Sequence, residues 1–559
     1  MTGVDASAAS ELRGGRRSAW APLGHPLFRR LWAAQLASNV GSWMQNVGAV
    51  WLMGSLSGSP ALIALVQTAT SLPVFLLGLP AGALADILDR RRLLLVTQAW
   101  MLVCATALTV LAVLDLVTPA VLLGLTFALG AGVALNQPAW QAVQPEIVPR
   151  EDFAQAVTLG GVSINLGRAA GPALGGAVVA AAGPEYVFLA NAVSFLGVLA
   201  VLVLWRRAPR STPLPAERVF GAVRAGLRYA RHAPALEAVL VRTVLFVLPA
   251  SSILALLPVV ARQELGLGAQ GFGLLLTAFG GGAVLAASLL PRLRRRAPLD
   301  MIVAAASLAL AVVVLCLALS SLAALVAAAL VAGGLAWLLA ISSLNVAAQF
   351  SLPGWVRARG LSVYLLLFGG GMAAGSAVWG LVAETAGTSV ALGAAAAALA
   401  VGAAGAFRYR LGISERLDLR PSLHWAEPAV VADPRPGQGP VLVTLEYAVP
   451  LEAAGEFAAV MHRVERMRRR TGARAWGLYQ DSTDPGRFVE TFVVESWEEH
   501  LRQHGRVTHS DRKLEERRDV FLSPGTSPTV RHYLSAYGRG GEVNLLTTPM
   551  PREPDVRSE

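Results

Sequence analysis

Lysine is almost missing from this chain of 559 residues: Lys513 is the only one, and arginine carries nearly all of the positive charge. Charged residues make up only 15% of the chain, against 54% apolar residues and a mean hydropathy of +0.54. So small a charged fraction over such a length excludes a single soluble domain. There are two cysteines, Cys104 and Cys316, in separate apolar runs, which excludes a disulfide framework and a thiolate metal site. No phosphate-cradling Gly-rich loop with a following lysine occurs, which excludes nucleotide hydrolysis of that kind. Carboxylates are absent from the centres of the apolar runs, Asp115 and Glu384 falling at run ends. No apolar h-region precedes the first long run, because Met1 to Pro26 is polar and arginine-bearing, so no cleavable signal peptide is expected.

What is present is apolar sequence in pieces of membrane length. Runs at about Leu31 to Leu56, Ala61 to Ala83, Leu93 to Leu114, Pro119 to Leu135, Ala156 to Ala182 and Pro184 to Trp205 make six. Six more follow at about Ala238 to Ala261, Gly271 to Leu290, Met301 to Leu319, Ala323 to Val346, Leu361 to Val382 and Val390 to Phe407. The net charge of +11 points to topology and not to nucleic acid, because the arginines cluster in alternate connectors. Arg16, Arg17, Arg29 and Arg30 precede the first run, Arg90 to Arg92 follow the second, and Arg292 to Arg296 follow the eighth. Both termini and the central connector are therefore expected on the cytoplasmic side of the cell membrane.

The expected fold is an all-α polytopic membrane protein of twelve transmembrane helices in two six-helix halves, followed by a small α+β soluble domain. The divisions read as a cytoplasmic tail 1–27, a first half 28–205, a cytoplasmic loop 206–234, a second half 235–410, a linker 411–440, an α+β domain 441–537 and a disordered tail 538–559. The halves share features: an asparagine (Asn136, Asn345), a short loop with proline and arginine, then a glycine-rich run. That repetition is what a transporter built from repeats should show, with its site near the midplane between them.

Polar residues inside the apolar runs mark the candidate site. Gln35, Asn39, Ser42 and Asn46 are spaced 4, 3 and 4 and share one face of the first helix, with Trp43 beside them. Such a face sees water or substrate, or bonds to another helix. Gln67, Asn165, Arg168 and Asn345 extend the set. The stretch Asn165 to Gly176, NLGRAAGPALGG, puts Gly167, Gly171 and Gly175 on one ridge for close helix packing, with Gly176 beside it and Pro172 as a hinge. Arg168 falls near the bilayer midplane, where a cation costs a few kcal/mol unless it faces a cavity or a partner.

Gly82 to Arg92, GALADILDRRR, resembles the loop signature of the major facilitator superfamily at Gly82, Asp86, Arg91 and Arg92, departing from it at Ile87 and Asp89. The resemblance implies a gating latch in which Asp86 meets a helix end or an arginine when the cytoplasmic side is closed. GRAAGPALGG is similar to that family's fifth-span signature of exporters. From Phe28 to Arg410 the chain resembles the enterobactin-exporter-like and macrolide-efflux-like branch of the superfamily. That implies outward, proton-coupled antiport of a small drug-, antibiotic- or siderophore-like molecule, with no cofactor and the lipid bilayer as its surroundings. Import by the same fold and a membrane-tethered enzyme are the alternatives.

Beyond Arg410 a proline-rich linker leads to a βαββαβ order, the ferredoxin-like plan. Strands are expected at Val441 to Tyr447, Arg474 to Gln480, Phe488 to Glu495 and Val530 to Ala536, with one helical region from Trp497 to about Phe521. His500 and His504 share a helix face, but no third ligand is evident and no metal is expected. The domain resembles a dimeric α+β barrel of the antibiotic-biosynthesis-monooxygenase type, which implies a homodimer through this domain, the linker acting as a tether that imposes no geometry.

Overall fold

The computed structural model describes residues 20–205, 219–412, 417–425, 428, 434 and 437–537. The expected cytoplasmic tail up to residue 19, the first part of the central loop and the tail 538–559 lie outside the described residues. Twelve long helices occupy the twelve apolar runs: α1 (Pro26–Leu56), α2 (Pro60–Ile87), α3 (Arg90–Val113), α4 (Pro119–Ile147), α5 (Phe153–Ala181), α6 (Pro184–Leu204), α8 (Pro234–Val259), α9 (Ala269–Arg296), α10 (Leu299–Leu319), α11 (Ala323–Phe350), α12 (Arg357–Ala386) and α13 (Thr388–Arg408). A shorter helix, α7 (Val219–His232), lies within the central loop that the sequence presents only as a basic connector.

Local chemistry sets the helix starts. α1, α2, α4, α6 and α8 each begin with proline, whose missing N–H falls where a helix has no acceptor for it. Ser59, Asp89 and Thr118 cap α2, α3 and α4 by accepting from the amides of Leu62, Arg92 and Val121. Asp89 therefore has a structural use in the loop position where it departs from the superfamily pattern.

By length and composition 10 of the described helices can cross a membrane. The two long helices that fall short are α1 and α5, which carry the polar faces, and they pack against each other. The glycine ridge makes that contact possible. A Cβ at Gly167 lies 2.9 Å from Asn39 Cβ, at Gly171 2.5 Å from Trp43 Cβ and at Gly175 2.8 Å from Met44 Cα. On its other side α5 crosses α9, with Gly176 against the Ala269 carbonyl, Gly273 against the Pro172 carbonyl and Gly280 against the Arg168 carbonyl. Pro172 sits inside an unbroken helix and its carbonyl is covered by this crossing.

The chain packs as two compact units, one of residues 1–219, 241–345 and 364–410, the other of 220–240, 346–363 and 411–559. Within the first unit the two six-helix halves meet at one end. Glu384 accepts from Ser59 Oγ at 2.8 Å and from the Ala61 amide at 3.3 Å, and Arg262 lies over the Trp51 ring at 5.3 Å.

The second unit contains an antiparallel sheet of order β2-β3-β1-β4, from β1 (Val441–Ala448), β2 (Ala475–Gln480), β3 (Arg487–Val494) and β4 (Thr529–Leu534). Alternation in β1 and β3 sends Val441, Val443, Leu445, Phe492 and Val494 into a core with Phe457, Met461 and Val464 of α14 (Ala454–Thr471). The expected single helical region is two helices, α15 (Trp497–Arg506) and α16 (His509–Asp519), because Thr508 and Asp511 form a capping box that starts a new helix.

Beneath the sheet lies a buried charge cluster. Arg468 bonds Glu490 at 2.9 Å and Glu515 at 3.0 Å, while Tyr447 Oη and Trp476 Nε1 both donate to Glu490. Burial works against ionised Glu515, but Arg468 and a hydrogen bond from His424 outweigh it and hold the carboxyl down to about 2. His500 has the opposite fate, since burial, then His532 and His504, push its pKa down to about 3. The expected tether is fastened over its described residues: the His509 amide donates to the Arg420 carbonyl, the Ser422 amide to the Val507 carbonyl and Trp425 Nε1 to Glu515.

Two outcomes follow from these contacts. Gly273→Val should leave the chain aggregated on size-exclusion chromatography in detergent, whereas Gly281→Val, with open space around its Cβ position, should elute as the parent does. The soluble domain should lose stability as pH falls below about 6.5, because the unfolded histidine takes up a proton that buried His500 refuses, at up to about 1.4 kcal/mol per pH unit. Glu515 adds to the loss below about pH 4.5, where its unfolded form protonates first. Thermal melts of the full chain in nanodiscs between pH 7.5 and 4.5 test this, with His500→Phe expected to flatten the upper part of the curve.

Candidate functional site

Inside the first six-helix half α1, α3, α4, α5 and α6 enclose a cavity of about 610 Å³. Gln35, Ser38, Asn39 and Ser42 line it from α1, and Ser163 from α5. The polar ladder runs along the helix and across: Gln35 Nε2 donates to Asn39 Oδ1 at 3.2 Å, and Asn39 Nδ2 to Ser163 Oγ at 2.9 Å. Trp32 closes one side, its Nε1 held by the Leu159 carbonyl at 2.8 Å.

Further amides line it that the sequence reading did not place in the site: Gln98 on α3, Gln137, Gln141 and Gln144 on α4, and Asn136, noted there only as a feature the two halves share. Their signal was present, since Gln137, Gln141 and Gln144 are spaced 4 and 3, the same one-face pattern that singled out the first helix. Asn136 Nδ2 donates to Thr97 Oγ1 at 2.8 Å. Gln35 Oε1 and Gln98 Oε1 are buried without a hydrogen-bond partner among the described residues. An apolar-backed cavity with two open amide oxygens offers acceptors to a guest and no charge of its own.

The other expected site residues are placed apart from this lining. Arg168 is on α5 with its guanidinium 5.7 Å from the centre of the Trp43 ring, a cation–π pair. Asn165 Nδ2 bonds the Gly161 carbonyl of its own helix, and Gln67 Nε2 bonds Ser71 Oγ one turn along α2. Asn46 is half-buried on α1, and Asn345 is half-buried near the end of α11. Two further buried polar sites emerge only from the structure. Asn191 of α6 donates to Gln45 of α1 and accepts from Ser194 Oγ at 3.2 Å, and Arg242 of α8 pairs with Asp300 of α10 at 3.5 Å.

Gly82 and Asp86 of the expected gating loop fall instead within the last turns of α2, which continues to Ile87; Gly82 has open space around it, and the Asp86 side chain lies outside the described residues. Arg91 donates to the carbonyls of Leu202 and Val203 at 3.0 and 2.9 Å, capping the C-terminal end of α6 where the helix dipole favours a cation. Arg90 pairs with Glu146 at 2.8 Å, and Arg92 is exposed.

The family model described as transmembrane secretion effector matches residues 17–540 of this chain. The staphyloferrin A transporter of Staphylococcus aureus is 26% identical over 256 residues, covering 45% of this chain and 64% of that protein. An enterobactin exporter of Salmonella typhimurium is 28% identical over 266 residues, 47% of this chain and 63% of that protein. The multidrug efflux pump Tap of Mycolicibacterium fortuitum is 30% identical over 225 residues, 38% of this chain and 54% of the pump. The matched part of this chain thus spans between half and two thirds of these relatives' length. Among solved structures, a bacterial homolog of the human lysosomal transporter Spinster, inward-facing and unoccupied, superposes with a TM-score of 0.57 at 13% identity, covering 72% of this chain and 99% of that one. At that identity the likeness concerns the fold.

The Gln45–Asn191 contact gives a test of how the amide network holds the half together. Asn191→Leu should lower stability by about 1 to 3 kcal/mol, because Gln45 is then buried without its partner. Leucine at both positions should cost less than the sum of the single changes, as read by thermal melts in detergent.

Proposed function

The chain belongs to the transmembrane secretion effector family of major facilitator transporters, and from that premise we propose that it exports a small, uncharged or weakly charged organic molecule across the cell membrane by alternating access. The cavity in the first half carries the reading, since its amide wall and its Trp32 and Trp140 rings offer hydrogen bonds and flat apolar surface and no fixed charge. The relatives named for siderophore and drug export support the direction and the substrate class. The arginines in alternate connectors support a cytoplasmic position for both termini.

Proton coupling accompanies export in this proposal. The resemblance to proton-coupled exporters of the superfamily supports it. Arg168 we assign to the substrate path next to the first-half cavity, where the Trp43 face offsets part of its desolvation. The outward side of the four-stranded sheet, with Leu442, Tyr479 and Tyr533 exposed, supports pairing of two chains through the soluble domain.

Energy-dependent accumulation of substrate inside everted vesicles is the expected result, and loss of preloaded substrate from them means import instead. In the same vesicles Arg168→Ala should lower transport at least tenfold with the protein still present at parental level. Normal transport by that variant assigns Arg168 to packing alone, and its failure to accumulate in the membrane assigns it to folding.

A further inference from the structure

The second compact unit holds a cavity of about 920 Å³ between the helix-facing side of its sheet and the pair α15 and α16. Its walls are ring systems: Trp425 from the linker, Phe492 of β3, Trp497, His500 and His504 of α15 and His532 of β4. Arg468 and Arg518 also border it, but both guanidinium groups are already matched. Arg468 is held by Glu490 and Glu515 at 2.9 and 3.0 Å, and Arg518 by Asp519 at 2.8 Å. Arg512, also at the border, pairs with Glu516 at 2.9 Å, and the more exposed Arg531 lies 3.8 Å from Glu446, so the positive charge around the cavity is largely matched.

Two polar atoms of α15 are left over. His500 is 1% exposed, and its Nδ1 has no hydrogen-bond partner among the described residues. Gln503 lies near enough to favour the charged ring, but its Oε1 is also unpaired and its Nε2 is tied to Thr471 at 3.0 Å. A buried acceptor without a donor is costly unless a guest supplies the donor.

The same helix has a second face with different contacts. Trp497, His500 and His504 follow at three and four residues and look into the cavity, while Glu499 and Arg506 point elsewhere. Glu499 pairs with Arg228 of α7 at 3.3 Å and with Arg506 at 2.6 Å. Arg506 lies 4.5 Å from the centre of the Trp355 ring, in the short loop that joins α11 to α12. Tyr229 of α7 meets Trp355 edge-on at 5.9 Å and donates to the Ser351 carbonyl at 3.1 Å. A single helix of ten residues therefore forms the wall of the cavity and the clasp on that loop.

We propose that the soluble domain is a ligand sensor: a flat aromatic molecule bearing a hydroxyl or N–H donor binds between the sheet and α15, and α15 carries its presence to the loop between α11 and α12. The ring walls favour a planar guest, the balanced arginines disfavour a strongly anionic one, and His500 Nδ1 accepts its donor. A guest that shifts α15 moves Glu499 and Arg506 with it, so the clasp on Trp355 and Arg228 is biased by occupancy. This reading goes beyond transport itself and holds whichever way substrate moves.

The test uses the full chain in nanodiscs with radiolabelled 2-naphthol as probe. Binding by scintillation proximity should weaken at least tenfold in His500→Phe, and similarly in His532→Ala, a change on the edge strand β4 that breaks no bond to Glu490 or Glu515 and decides the matter if His500→Phe misfolds. For coupling, Cys104 and Cys316 are replaced by alanine and Gly354→Cys is introduced in the loop. 2-Naphthol should change its maleimide labelling rate at least threefold, and Arg506→Gln should abolish that change. No binding, or binding that the cavity variants leave untouched, overturns the site. Binding that depends on the cavity with an unchanged labelling rate overturns the sensor.

Discussion

Lipid offers no hydrogen-bond partner, so every polar group placed within the bilayer must find one inside the protein. The crossing of α1 and α5 is where this constraint shapes the fold. These are the two long helices too polar to pass as spans on composition, and they shelter each other's polar groups. Sheltering needs close approach, because the Asn39 to Ser163 bond is only 2.9 Å long. Glycine at 167, 171 and 175 allows it, since any Cβ there would lie within 3 Å of α1 atoms. Packing and polarity are thus one arrangement, with the cavity as the part of the polar surface left open.

Most of the architecture was legible because it rests on periodic, local signals. Twelve apolar runs became twelve long helices, and the alternation at Val441, Val443 and Leu445 became the central strand β1. The glycine ridge was legible for the same reason, though not its partner, since spacing gives a face and says nothing of what meets it. The break between α15 and α16 was missed because Thr508 and Asp511 act by a three-residue capping geometry inside an otherwise continuous helical stretch. Asn191 and Arg242 were passed over as single polar residues in apolar runs, and only tertiary contact gives them Gln45 and Asp300.

The soluble domain shows a second limit of reading along the chain. Composition marks the linker as proline-rich and polar, which suggests a passive tether. Its described residues are bound to the domain at Arg420, Ser422 and Trp425, and Trp425 closes a cavity wall. Proline-rich sequence lacks regular structure of its own, yet its carbonyls and side chains remain free to bond to a neighbouring surface. Over the described residues 417–425 the backbone is largely irregular and still held in place.

The two units also handle buried polarity differently, and the difference fits what each must do. In the soluble domain many of the buried groups are charged and paired, as with Arg468 between Glu490 and Glu515. Such a cluster is expensive to break, about 3 to 5 kcal/mol when one partner is lost, and so favours one arrangement. The membrane cavity is built mainly from neutral amides and hydroxyls, whose net hydrogen bonds are worth about 0.5 to 1.5 kcal/mol each. An amide can exchange one partner for another as helices shift, because it donates and accepts and carries no charge to strand. A transporter that cycles between two states needs its moving surfaces to be of that second kind, with cations held at helix ends, as Arg91 is, against an aromatic face, as Arg168 is, or beside a carboxylate, as Arg242 is.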